Sequence, residues 1–178
     1  TRSYAVTGVQ TCALPISSIA NGTREKGLAW LGFDGTLPVV LVLGGSQGAL
    51  QVNTMIESIL PKLSSIAAVA HQTGPGNAPS RPPDLSYKGF AYVQDEMPDV
   101  LAAADIVVGR SGAGTVWEAV TAGKPMVLIP LSGPGSRGDQ VQNAAEMARH
   151  GAAISLAGNA ATPEALLEIG RASCRERV

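Results

Sequence analysis

Val39–Leu43 is an unbroken run of valine and leucine. It is apolar on both faces, as a central parallel strand covered by helices must be. A glycine-rich stretch, GGSQG, follows at 44–48. Beyond it, Val52, Met55, Ile56, Ile59, Leu60 and Leu63 recur at helical spacing, which predicts a helix over Leu50–Leu63. The same alternation continues down the chain. Strands are predicted at 66–70, 89–93, 105–108, 126–129 and 153–156, and helices at 97–104, 115–122 and 139–150, the last closed by Gly151. Thr162 and Pro163 open a final helix as N-cap and first helical residue. Residues 75–83 form a loop rich in glycine and proline. Ahead of the first strand, polar 21–26 and the turn chemistry of 32–38 (GFDGTLP) predict a linker.

Strands alternating with helices across short connections specify an α/β fold built on an open, doubly wound parallel sheet. In such sheets ligands sit outside the carboxyl ends of the strands, where the strand order reverses. Candidate chemistry is therefore sought in the loops that follow strands.

The two ends do not share this periodicity, and they hold both cysteines, Cys12 and Cys174. Residues 6–16 (VTGVQTCALPI) resemble the in-frame translation of a sequencing adaptor, and 169–178 (IGRASCRERV) that of its partner. The expected division is thus 1–16 and 169–178 as adaptor-derived ends, with 17–168 as the domain. Cysteine usage then says nothing about redox compartment, and a natural chain is expected to continue past both ends. Within 17–168 there are 13 acidic and 9 basic side chains, a net charge of −4. Without a lysine or arginine cluster, the electrostatic footprint of a nucleic-acid binder is missing. No apolar run reaches the length of a membrane span.

Three loops after strands carry candidate chemistry. In the first, Gly44 to Gly48, glycines let the backbone turn tightly and approach a ligand, and the free N–H groups of the following helix favour an anion such as a diphosphate. Ser46 and Gln47 add side-chain donors beside Gly45. A tight turn with no ligand would look the same. Gly48 is followed by Ala49 and Leu50 rather than Lys and Ser/Thr, which disfavours a P-loop. The second strand ends in His71, Gln72, Thr73, Gly74, with no acid to hold the ribose of a dinucleotide.

The second loop, RSGAGTVWE from Arg110 to Glu118, repeats the logic: Ser111, Gly112, Ala113, Gly114 and Thr115 can present N–H groups and hydroxyls to phosphate. Glu118 falls about one turn into the helix, where a carboxylate can accept from both hydroxyls of a ribose or simply complement the helix dipole. The third, PLSGPGSRGDQVQNA from Pro130 to Ala144, ends at Asp139 and Gln140. Neighbouring carboxylate and amide suit vicinal sugar hydroxyls, although Asp139 can equally charge a helix N-terminus. His71 and His150 read as structural, no metal-ligand spacing is present, and there is no G-x-S-x-G elbow.

GGSQGA, YVQDEM, RSGAGTVWEAVTAGKPMVLIPL and SRGDQVQNA, in this order, together resemble the MurG family, the peptidoglycan N-acetylglucosaminyltransferases that convert lipid I to lipid II. The resemblance implies the Rossmann-like C-terminal half of a two-domain GT-B glycosyltransferase, with UDP-GlcNAc as donor. By resemblance, Ser46 and Gln47 lie beside the diphosphate with Ala113 to Thr115. The backbone of Val93 reads the uracil with Met97 packed nearby, Glu118 binds the ribose, and Gln140 contacts GlcNAc hydroxyls. Its neighbour Asp139 stands at a position that varies in the family.

The reaction implied is inverting hexosyl transfer without a cofactor or required metal. The N-terminal domain would hold the lipid I site, the membrane-facing surface and the catalytic base. None of the catalytic residues would then lie in this chain, which alone would bind donor and catalyse nothing. A family arginine expected just upstream of the domain is missing. The whole enzyme would work in the bacterial cytoplasm, peripheral on the inner face of the plasma membrane. Three other readings share these turns: a GT-B transferase for a glycolipid or natural product, a UDP-GlcNAc epimerase, and a noncatalytic nucleotide-sugar-binding module. The epimerase would need acid/base groups that the loops do not show.

Overall fold

A computed structural model describes residues 16–44, 49–77, 79, 81–131 and 138–175. Six parallel strands form one sheet: β1 (Val39–Leu43), β2 (Ala68–Gln72), β3 (Tyr87–Phe90), β4 (Ile106–Gly109), β5 (Met126–Leu128) and β6 (Ala153–Ser155), in the order β3-β2-β1-β4-β5-β6. β1 lies at the centre, and its alternating residues feed two cores. Val39, Leu41 and Leu43 join the cluster under α1 (Ile16–Ile19), α2 (Arg24–Leu31), α4 (Met97–Ala103), α5 (Ala113–Thr121) and α6 (Asp139–Arg149). Val40 and Val42 join the opposite cluster, under α3 (Leu50–Leu63) and α7 (Pro163–Arg175). All five residues of β1 are buried, each contributing roughly 1.5–3 kcal/mol of apolar burial. The doubly wound sheet expected from the sequence is the fold observed.

Four local expectations are corrected. First, 24–31 is helical rather than a linker. REKGLAWL has almost no apolar stripe, and its ends define it instead: the Thr23 side chain accepts from Lys26 N at 3.4 Å, and Gly32 closes it in the left-handed region at φ 75°. Second, β2 starts later than predicted, because Ile66 and Ala67 are spent in the turn that ends α3, both donating to Leu63 O. Third, β3 is 87–90 rather than 89–93, since Tyr87 rather than the later residues pairs with Val69. Fourth, α5 starts at Ala113, two residues early, because its first turn of small residues carries no periodicity. The remaining boundaries agree within one residue apart from α7, which continues through Arg175, with Ile169 packed against the core.

Asp105 ties α2 to the sheet. It is 8% exposed, accepts from Val39 N at 2.7 Å, and receives both guanidinium nitrogens of Arg24 at 3.1 and 3.3 Å. Replacing it with alanine strands a buried N–H, and is expected to lower stability by about 2 kcal/mol in urea denaturation.

Candidate functional site

The strand order reverses between β1 and β4, which pair in register with Leu43 opposite Gly109. From these two ends the chain crosses to helices on opposite faces, α3 and α5, the arrangement that in doubly wound sheets leaves a crevice at the carboxyl edge. Both glycine-rich turns singled out from the sequence leave from it. Gly44 is held by its N–H on Gln72 O at 3.4 Å. Gly45, Ser46 and Gln47 lie outside the described residues.

α3, α4, α5 and α6 all follow strands, and among the described residues none has a side-chain cap on its first N–H groups. By contrast, α2 and α7 are capped by Thr23 and Thr162, the latter accepting from Ala165 N at 3.2 Å. At α5, whose N-cap Gly112 and first turn are all described, the first N–H groups and the positive end of the helix dipole are left for a ligand at the carboxyl edge. A Cβ built on Gly112 or Gly114 would meet nothing within 4 Å, so the space above both is open. Val116 and Ala119 turn inward, at 4% and 0% exposure. Glu118, half-buried, stands four residues after Gly114 and shares its helix face, above the open N-terminus. Ala113 is exposed and Thr115 half-buried at the same end.

The second and third loops are joined. Ser111 is fully buried, and its Oγ donates to Gln140 O at 2.6 Å, while Asn143 Nδ2 donates to Ser111 O at 3.0 Å. Ser111 thus links α6 to the turn after β4, and its hydroxyl is not turned outward to a phosphate. Gln140 has a structural partner that sequence reasoning did not give it: its Oε1 accepts from Leu131 N at 3.0 Å, closing the loop after β5. Asp139 is exposed in the first turn of α6; the N-cap itself is Gly138 at φ 80°.

After β3, Val93 and Met97 are buried, at 4% and 6% exposure, in the cluster that includes α4. Val93 N donates to Gln72 Oε1 at 3.4 Å. Val93 is thus tied to β2 and Ser111 to α6.

Three residues that sequence reasoning did not place at the ligand stand out. Arg110, ahead of Ser111, donates to Ile129 O at 3.3 Å, and burial lowers its pKa from the usual guanidinium value. His71, at the end of β2, and Asn53, in the first turn of α3, form a buried pair. The available signal was the polar triplet HQT at the end of an otherwise apolar strand. Among the described residues no group of three or more His, Cys, Asp or Glu could hold a metal, and no helix is long and apolar enough to cross a membrane.

The family model for the glycosyltransferase family 28 C-terminal domain matches residues 39–177. A UDP-N-acetylglucosamine--N-acetylmuramyl-(pentapeptide) pyrophosphoryl-undecaprenol N-acetylglucosamine transferase of Bacillus cereus is 45% identical over 139 residues, covering 78% of this chain and 40% of the relative. The enzyme of that name from Treponema denticola is 39% identical over 166 residues, covering 86% and 42%. The chain therefore spans about two fifths of these relatives. Among solved structures, MurG of Acinetobacter baumannii superposes with a TM-score of 0.64 at 27% identity, covering 90% of this chain and 46% of that one. The glycotransferase of kitacinnamycin, at 23% identity and TM-score 0.61 over 80% and 37%, shares the fold.

Proposed function

The chain belongs to the glycosyltransferase family 28 C-terminal domain family, and from that membership we propose that it is the donor-binding half of an inverting N-acetylglucosaminyltransferase. The substrate is UDP-GlcNAc, and the acceptor is undecaprenyl-diphospho-MurNAc-pentapeptide, lipid I becoming lipid II. The observation that carries the reading is the crevice at the β1–β4 reversal, where uncapped helix N-termini meet an open glycine face with Glu118 four residues along it.

The diphosphate lies across the α3 and α5 N-termini, against Gly45, Ser46, Gln47 and the backbone from Gly112 to Thr115. Arg110, cationic at the same edge, complements its charge. Glu118 accepts from the ribose hydroxyls, and the loop of Val93 and Met97 takes the base. Because Gln140 Oε1 is committed to Leu131 N, its contact with a GlcNAc hydroxyl falls to Nε2, with Asp139 beside it. An acceptor hydroxyl attacks C1 as the bond to the diphosphate oxygen breaks. The leaving charge is met by fixed N–H dipoles, which serve without a metal ion. The base that takes the acceptor proton, the lipid I site and the membrane-facing surface belong to the remaining length of the whole protein. That protein works on the cytoplasmic face of the bacterial membrane, and this chain alone binds donor without turnover.

Calorimetry with UDP-GlcNAc, UDP-glucose and NAD tests the assignment. UDP-GlcNAc is expected to bind tightest and with the same affinity in EDTA. Glu118→Ala should weaken it roughly 30-fold, the loss of a charged acceptor. Tighter binding of NAD than of either UDP-sugar would overturn the reading, and strict Mg²⁺ dependence would remove the metal-free leaving-group site.

A further inference from the structure

The residues that end β2 and the first turn of α3 hold one another beneath the crevice. Asn53, 4% exposed, donates through Nδ2 to Thr73 O at 2.8 Å, and its Oδ1 lies 3.1 Å from His71 Nε2. The amide's direction is set by its bond to a carbonyl, so Oδ1 is the atom facing the imidazole. An acceptor there needs a donor opposite, which assigns the ring proton to Nε2 and leaves Nδ1 a bare acceptor. Nδ1 is buried with no partner among the described residues. A half-satisfied polar pair costs stability that two apolar side chains of the same shape would recover. The pair's value must lie in the geometry it enforces.

That geometry is local to the site. Asn53 stands in the first turn of α3, its own N–H on Ala49 O at 2.9 Å, directly after the first glycine turn. Between His71 and Thr73, Gln72 gives its carbonyl to Gly44 N and its Oε1 to Val93 N. Three consecutive residues at the end of β2 thus hold the start of the first glycine turn, the helix after it and the loop of Val93.

We infer that His71, acting through Asn53, is a positioning residue that sets where the α3 N-terminus aims its first N–H groups, and so governs affinity for the diphosphate portion of a nucleotide ligand. The inference rests on the proposed UDP-sugar reading of this crevice. It separates two parts of one ligand, because the α3 N-terminus faces phosphate while ribose and base are held elsewhere.

Calorimetry on the full chain with UDP and with uridine reads that separation. His71→Leu and Asn53→Leu are expected to lose about tenfold or more in UDP affinity, as sub-ångström misplacement of donors does, with uridine affinity within about twofold of wild type. His71→Gln, whose amide N–H₂ can donate to Asn53, should recover most of the loss. The double variant His71→Leu/Asn53→Leu removes both polar partners and guards against single variants that fold poorly. It should melt near wild type yet keep the UDP defect.

Imidazole ¹⁵N shifts of the unmodified chain give a readout independent of any variant, with the Nε2–H tautomer expected. An Nδ1–H tautomer, equal weakening of UDP and uridine, or a well-folded double variant with wild-type UDP affinity would each overturn the inference while leaving the donor assignment standing. Failure of the unmodified chain to bind UDP at all would instead fell the donor assignment, and the inference with it.

Discussion

Gly27→Leu is expected to destabilise the protein by about 4 kcal/mol and to lower the melting temperature by roughly 10 °C. A Cβ at position 27 would lie 2.0 Å from Asp99 O and 2.8 Å from Ala103 Cβ, and at Gly22 a Cβ would lie 1.9 Å from Pro98 O. The obstruction is α4 backbone, which no rotamer change can move aside. Helices α2 and α4 must separate, and three contacts go with that. Thr23 N leaves Asp99 Oδ1 at 2.7 Å, Arg24 leaves Ala103 O at 2.5 Å, and Leu31, 2% exposed, loses its cover. Overpacking of this kind costs about 1–3 kcal/mol, and uncovering one leucine a further 1.5–3. Gly27→Ala should fall between the two. Thermal melting of the three proteins checks the series, and an unchanged transition for leucine would mean that 24–31 hangs free of the domain as a linker would.

That helix also shows where the sequence ceased to be legible. β1 and α3 were readable to the residue, because a five-residue apolar run and a six-position helical stripe each state their own period. α2 states none. It is fixed by a threonine, two glycines and the backbone of α4, and only the last makes the glycines intelligible. β2 was misplaced for a related reason. His71 and Gln72 are polar by type, yet they are fully strand and buried, since their side chains bond to Asn53 and to Val93 N.

The site divides in the same way. That glycine turns follow β1 and β4 is a matter of sequence. That these two strands are neighbours, with the order reversing between them, is tertiary. The helix period alone places Glu118 over Gly114, whereas the ties from Ser111 to Gln140 and from Gln140 to Leu131 cross 29 and 9 residues and could not be read from either loop. Sequence reasoning treated Ser111 and Gln140 as groups aimed at a ligand. Their hydrogen bonds show that one joins the loops and the other has its carbonyl oxygen committed to the loop itself.

Acidification from about pH 6.5 to about pH 4 is expected to remove about 3 kcal/mol of stability, nearly all of it through His71. Burial with no solvent contact pushes its imidazole down to about 4, so the folded chain keeps it neutral. Unfolded, it protonates near 6.5. Between those values the unfolded state binds more protons, so stability is complete above about 6.5, falls as the pH drops, and stops falling through this group below about 4. Asp34, Asp84 and Glu146, held by hydrogen bonds below the usual carboxylate range, begin to add their own loss only near the acid end of this window, where the unfolded carboxylates protonate. Urea denaturation at pH 7, 6, 5 and 4.5 should give a slope that His71→Gln flattens; equal slopes would place the imidazole in contact with water. Nε2 donates to Asn53 in both protonation states, so the bond itself survives acidification. Affinity for UDP-GlcNAc, whose doubly esterified diphosphate has no proton to take up between these values, should therefore hold per folded molecule through this window, which separates the desolvation cost of His71 from its role in positioning α3.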